Sequence, residues 1–170
     1  MLFRSSGEGV SKDVAQAVSW YRRAAEQGVA SAQNNLGAMY YRGDGVPKDA
    51  AQAVSWFRKA AEQGNAHAQF SLGAAYESGE GVPKDAAEAV SWYRKAAEQG
   101  DSGAQSNLGA MYYRGDGVPK DLVIAYVWRN LAAAQGSETA KKARDSLESS
   151  MTPAQIAEAQ KLSREWKPKK

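Results

Sequence analysis

Tryptophan recurs at positions 20, 56, 92 and 128, a step of 36 residues. Glycines at 7, 43, 79 and 115 keep the same step, as do aspartates at 13, 49, 85 and 121 and glycines at 28, 64, 100 and 136. Self-similarity at one period between 20 and 50 residues marks a stack of like units. Such a chain cannot build one central core. Each unit must bury its apolar side against the next.

Within a unit the pattern reads as two helices. The second starts at the aspartate, whose carboxylate can accept the first free backbone N–H groups. Gln16, Gln52 and Glu88 lie three residues after Asp13, Asp49 and Asp85, which predicts capping boxes; Asp121 is followed by Ile124 instead. Ala53, Trp56 or Phe57, and Ala60 then form one apolar stripe, and Gly64 ends the helix as a left-handed residue. The first helix of the next unit, SAQNNLGAMYYR at 31–42, carries the stripe Ala32, Leu36, Met39 and Tyr40. Gly37 sits inside it at a cost of about 1 kcal/mol relative to alanine. Gly73 and Gly109 repeat that cost, which predicts a helix approach too close for a Cβ.

Between the two helices lies GDGVPKD at 43–49, repeated at 115–121, with GEGVPKD at 79–85 and GEGVSKD at 7–13. A glycine turn followed by lysine could cradle phosphate. That chemistry needs a preceding strand and a GK[ST] at the helix start, and neither is present. The stretch is therefore a connector. Gly43 stops one helix, Val46 drops into the seam between helices, Pro47 disfavours helix before it, and Asp49 starts the next helix. Lys48 alone has no structural task.

Charge and composition narrow the function. The net charge is +3, and Lys167, Lys169 and Lys170 of the final KPKK supply as much. A neutral body lacks the concentrated basic face that nucleic acid requires, so no nucleic-acid partner is expected and the tail reads as a solvated end. No run of 18 apolar residues is present, so no membrane span is expected. The opening MLFRSSGEGV has too short an apolar part for a secretion signal. Cysteine is absent and His67 is the sole histidine. No metal cluster, cofactor motif or nucleophile arrangement stands out, and the chain is read as not an enzyme.

The ends depart from the register. Residues 1–28 read as a truncated first unit, followed by units at 29–64, 65–100 and 101–136 and capping helices at 137–170. The truncation predicts an exposed apolar end and self-association through it. DLVIAYVWRNLAAAQ at 121–135 is more apolar than its siblings, as a helix under a cap would be. Thr152, Pro153 and Gln155 predict a boxed helix start, with Ile156, Ala159, Leu162 and Trp166 covering the end of the stack. A second period is also present. NLGAMYYRGDGV at 35–46 returns at 107–118, while the unit between reads SLGAAYESGEGV.

Ala32, Leu36, Gly37, Tyr40, Gly43, Gly45, Val46, Asp49, Ala53, Trp56, Ala60, Ala61 and Gly64 follow a pattern that resembles the Sel-one-like repeat (SLR) family, a bacterial branch of the tetratricopeptide type. The resemblance covers essentially the whole chain. It implies an all-α, right-handed α-solenoid of helix-turn-helix repeats with a C-terminal capping helix. It also implies an adaptor or scaffold, in the cytosol, in the periplasm or outside the cell, binding a protein or peptide partner. By analogy with tetratricopeptide register, the concave face would carry Asn34, Tyr41, Arg42, His67, Phe70, Glu77, Ser106, Tyr113 and Arg114. Tyr41/Arg42 and Tyr113/Arg114 would flank an apolar, acidic centre and suit a segment with acidic ends. The alternatives are a structural or engineered array without a dedicated ligand, and an enzyme acting on or binding β-lactams. Some cysteine-rich secreted relatives are linked to β-lactams, from which a chain without cysteine departs.

Overall fold

The computed structural model describes the backbone of residues 7–169 and the side chains of residues 13–169. Among these residues it is all-helical. The helices are α1 (Gly7–Glu26), α2 (Ala30–Arg42), α3 (Ala50–Glu62), α4 (Ala66–Ser78), α5 (Ala86–Glu98), α6 (Ser102–Arg114), α7 (Leu122–Ala134), α8 (Glu138–Glu148) and α9 (Pro153–Glu165). Each helix from α1 to α7 packs on the next, and α9 folds back onto α7. The result is a solenoid whose core is a column of small clusters. Leu36, Leu72 and Leu108 are fully buried, each on a first helix.

The glycines inside the first helices mark close approach. A Cβ on Gly37 would stand 2.8 Å from the Phe57 ring, and one on Gly73 would stand 2.7 Å from the Tyr93 ring. The connectors are keyed to their neighbours in a similar way. Gly81 and Gly117 have positive φ, and a Cβ on either would overlap the backbone at Ala50 or Ala86, the first residue of the preceding second helix. Val46, Val82 and Val118 pack against the core clusters from the same connectors.

Asp49, Asp85 and Asp121 cap their helices by accepting backbone N–H groups, from Gln52 to Asp49 at 2.9 Å for example. The caps are one-way, unlike the expected boxes. The Asp49 and Asp85 N–H groups already donate to the Tyr40 and Tyr76 carbonyls, at 2.9 and 3.0 Å, so Gln52 and Glu88 have nothing to reach back to. Asp13 departs further. Helix α1 runs straight through GEGVSKD from Gly7, so Asp13 lies inside a helix and caps nothing. Ser11 stands there in place of proline. The restriction that proline places on the residue before it is gone, and the helix continues.

Three buried glutamines form a spine that the sequence reading missed. Gln33, Gln69 and Gln105 are at most 4% exposed. Each side-chain amide donates to a carbonyl of the preceding second helix, at Ala25, Ala61 and Ala97, over 3.0–3.2 Å. Each side-chain oxygen accepts from the glutamine that ends the following second helix, Gln63, Gln99 or Gln135, at 2.7–2.9 Å. One clasp thus joins three consecutive helices, and the next clasp starts on the last of them.

At the C-terminal end Thr152 and Gln155 form a full capping box. Met151 and Ala159 join Ala125, Tyr126, Val127 and Leu147 in a cluster, with Ile156 packed beside it. Leu162, expected to cover the stack, is 37% exposed. The tail is not a free solvated end. Trp166 meets Trp128 edge-on at 6.2 Å, the Lys169 N–H donates to the Glu98 carbonyl at 2.7 Å, and its ammonium pairs with the Glu98 carboxylate at 2.8 Å. At the other end Trp20 is 66% exposed, whereas its counterpart Trp92 is 8% exposed. No helix among the described residues is long and apolar enough to cross a membrane.

Candidate binding face along the first helices

The face lined by α2, α4 and α6 divides into three intervals, each built by the end of one first helix, the middle of a second helix and the next first helix. The first interval is apolar. Tyr41 on α2, Val54 and Phe57 on α3, and Phe70, Ser71 and Ala74 on α4 enclose a cavity of about 170 Å³. A dry cavity of about 150 Å³ already accepts a benzene-sized group. At its rim the Tyr41 hydroxyl donates to Glu80 at 2.7 Å, and Lys48 pairs with the same carboxylate at 3.0 Å. Lys48 therefore does have a task. The bond to Glu80 raises the Tyr41 phenol above its ordinary pKa, and Tyr41 with Lys48 holds the Glu80 carboxyl below its own.

Thirty-six residues on, the same positions carry Glu77, Val90, Tyr93, Ser106, Asn107 and Ala110. This interval is closed by polar bonds. The Tyr93 hydroxyl donates to Glu77 at 2.8 Å and accepts from the Asn107 amide at 3.0 Å, and Arg114 reaches the other Glu77 oxygen at 3.1 Å. Burial first, then the Glu77 contact, push the Tyr93 phenol well above the ordinary tyrosine range. Its ring meets Phe70 at 5.8 Å, joining the two intervals.

The third interval is cationic. The column that holds Phe57 and Tyr93 holds Arg129 on α7. Arg129 is 9% exposed, and its guanidinium lies 5.1 Å from the centre of the Tyr113 ring. One of its nitrogens donates to the Ala143 carbonyl at 3.1 Å. Burial lowers its pKa, opposed by Tyr113 and reinforced by the like charge of Arg114. Lys120 stands over the same tyrosine ring at 5.2 Å.

The residues singled out from the sequence fall unevenly on this face. Phe70 and Tyr41 line the cavity. Glu77 belongs to the polar interval, where Ser106 is partly exposed. Tyr113 borders the cationic one. His67 is exposed and hydrogen-bonds Asp101 at 3.2 Å, next to the start of α6. Asn34 holds the register of Phe70, and its side-chain oxygen is sealed from solvent without a partner. Arg42 and Arg114 are the main departure. Arg42 pairs with Asp44 at 2.6 Å, and Arg114 pairs with both Asp116 and Glu77. Their charge is largely answered within the chain. Arg129 and the cavity-lining Phe57 were missed as site residues. The signal was a column reading Phe, Tyr, Arg in an otherwise near-identical repeat.

No group of acidic residues and histidine that could hold a metal occurs among the described residues. The Sel1 repeat model matches residues 2–29, 30–65, 66–101 and 102–137. A crystal structure of a protective antigen of uropathogenic Escherichia coli displaying an SLR fold is similar at 44% identity over 89% of this chain, with a TM-score of 0.83. A Sel1 repeat protein from Oxalobacter formigenes is similar at 42% identity over 78% of the chain, with a TM-score of 0.73. Helicobacter pylori cysteine rich protein B is similar at 28% identity over 81%, with a TM-score of 0.62, and is matched over 98% of its own length. The chain spans 32% and 54% of the lengths of the first two. No curated protein matches it.

Proposed function

We propose a peptide-binding role, on the premise that the chain belongs to the Sel1 repeat family. Sel1 repeat proteins generally mediate protein–protein interactions and are mostly of the non-enzymatic scaffold type. On that footing the face of α2, α4 and α6 takes an extended segment of a protein partner. The supporting observation is the cavity bounded by Tyr41, Phe57 and Phe70. It is apolar, preformed and open to the face. A site of that kind anchors one apolar side chain while polar groups beside it fix orientation. Glu80 and Ser71 stand at its edge for that purpose.

The test fills the cavity without touching its frame. Ala74 is half-buried on its wall. Ala74→Leu should leave the helical circular dichroism intact and remove the aliphatic preference from peptides retained out of a random synthetic library. Retention of the same peptides by wild type and Ala74→Leu would overturn the reading.

A further inference from the structure

We infer that Arg129, with the Tyr113 ring and Arg114 beside it, forms a carboxylate-binding subsite on the same face. The inference rests on the peptide-binding reading above and names a second contact of the bound segment. A buried cation is ordinarily met by an acid or by a full set of acceptors. Arg129 has neither among the described residues. It makes no ion pair, and its recorded hydrogen bond is the single one to Ala143. The nearby acids are committed, since Glu77 and Asp116 both pair with Arg114. The uncommitted N–H groups are not sealed off. Among the described residues the buried side-chain polar atoms without partners are Asn34 Oδ1 and Trp92 Nε1, and none belongs to Arg129. Its fork therefore reaches solvent, with the guanidinium carbon over the Tyr113 ring at 5.1 Å. A planar fork held in that way matches a carboxylate through two parallel hydrogen bonds.

The subsite lies two intervals along the face from the cavity. A helix with its side chains is about 10–12 Å across, which sets the step between neighbouring first helices on the face, and an extended chain advances about 3.3 Å per residue. A segment crossing the face thus passes one unit about every three residues. The carboxylate should sit about six residues from the apolar anchor. It comes from an acidic side chain or from the C-terminus of the segment.

A synthetic random dodecapeptide library in two forms, one amide-ended and one with a free C-terminal carboxylate, tests both sources. Immobilised wild-type protein should retain amide-ended peptides with an aliphatic residue and an Asp or Glu five to seven positions apart. If the terminal carboxylate is the ligand, the free-acid form should instead show the aliphatic residue at that distance from the end. Arg129→Met keeps the stem that packs beside Gly109 and removes the charge. It should melt no lower than wild type, keep the aliphatic preference and lose the acidic one. The best acid-bearing peptide should bind it about tenfold more weakly, and its amide analogue equally well. An acidic preference unchanged in Arg129→Met would overturn the subsite. So would an aliphatic anchor with no acid in either form, while peptide binding itself would stand. Retention of no anchored peptide at all would remove both readings.

Discussion

Tyr41 and Tyr113 stand in the same thirteen residues, GAMYYRGDGVPKD, yet they face different chemistry. Beside Tyr41 the following helix supplies Phe57, and Glu80 accepts the phenol hydrogen bond and pairs with Lys48. Beside Tyr113 the column of Phe57 supplies Arg129. One tyrosine closes an apolar cavity, while the other has the cations of both Lys120 and Arg129 over its ring. Identical local sequence thus yields two sites, because the deciding residue of each lies on the helix that follows the shared motif. In a stack, a surface motif is half of a site.

Exchanging the deciding residues should break the comparison most visibly. Phe57→Arg removes a buried ring and puts a charge in its place, and should lower stability by about 3–5 kcal/mol in urea denaturation. Arg129→Phe replaces an unpaired buried cation with an apolar ring and should leave stability equal or higher. Equal losses in both would show that the two columns are not alternative fillings of one position.

The interval between the two tyrosines gives a smaller effect. Tyr93→Phe leaves Glu77 and Asn107 without their shared hydroxyl and should cost about 1–2 kcal/mol. It should also flatten the alkaline edge of stability. The folded protein holds the Tyr93 proton more tightly than the unfolded chain, whose tyrosines titrate near 10. Its contribution is complete below that pH and is lost as the pH rises above it. Denaturation midpoints between pH 9 and 11 should fall less steeply in Tyr93→Phe than in wild type.

Smaller still, Glu80→Gln should bring the Tyr41 phenol down toward its ordinary pKa, because the Glu80 bond is the largest cause of its elevation. An unmoved Tyr41 titration in carbon NMR would count against that bond. Last, Arg42→Ala removes an exposed pair with Asp44 and should change stability by less than about 0.5 kcal/mol. Peptide retention should be unaffected. Lost retention there would move the anion contact to the Tyr41 end of the face.

The fold was legible because its determinants are local and repeated. Caps, helix-ending glycines and the glycines at 37, 73 and 109 each announce one physical need four or three times over. The glutamine spine was not legible, since a glutamine on a helix reads as solvated until a carbonyl from another helix is brought to it. The tail misled for a similar reason. KPKK has the composition of a free end, and its partner Glu98 lies 71 residues away in sequence. Asp13 misled in the opposite direction. Its motif was intact except at Ser11, and the one proline was what kept the helix from running on. At the site, residue type alone favours Arg42 and Arg114, whose charges the fold answers internally. A buried arginine in an aromatic column carries more information than an exposed one.

The two long edges of the stack are joined by different kinds of force. Along one edge the glutamine clasps tie helix to helix by hydrogen bonds, which resist being pulled apart. Along the other, Gly81 and Gly117 abut the backbone at Ala50 and Ala86, a contact that resists being pushed together, backed only by exposed bonds such as those of Glu80 to Tyr41 and Lys48. The solenoid is therefore a strip with one margin stitched by buried clasps and one that is mainly abutted. Bent toward the abutted side it jams at once; bent away from it, it gives, pivoting on the stitches. Its compliance is one-sided, and a rod of this kind adapts to a thicker load by splaying and returns to the same hard stop when unloaded.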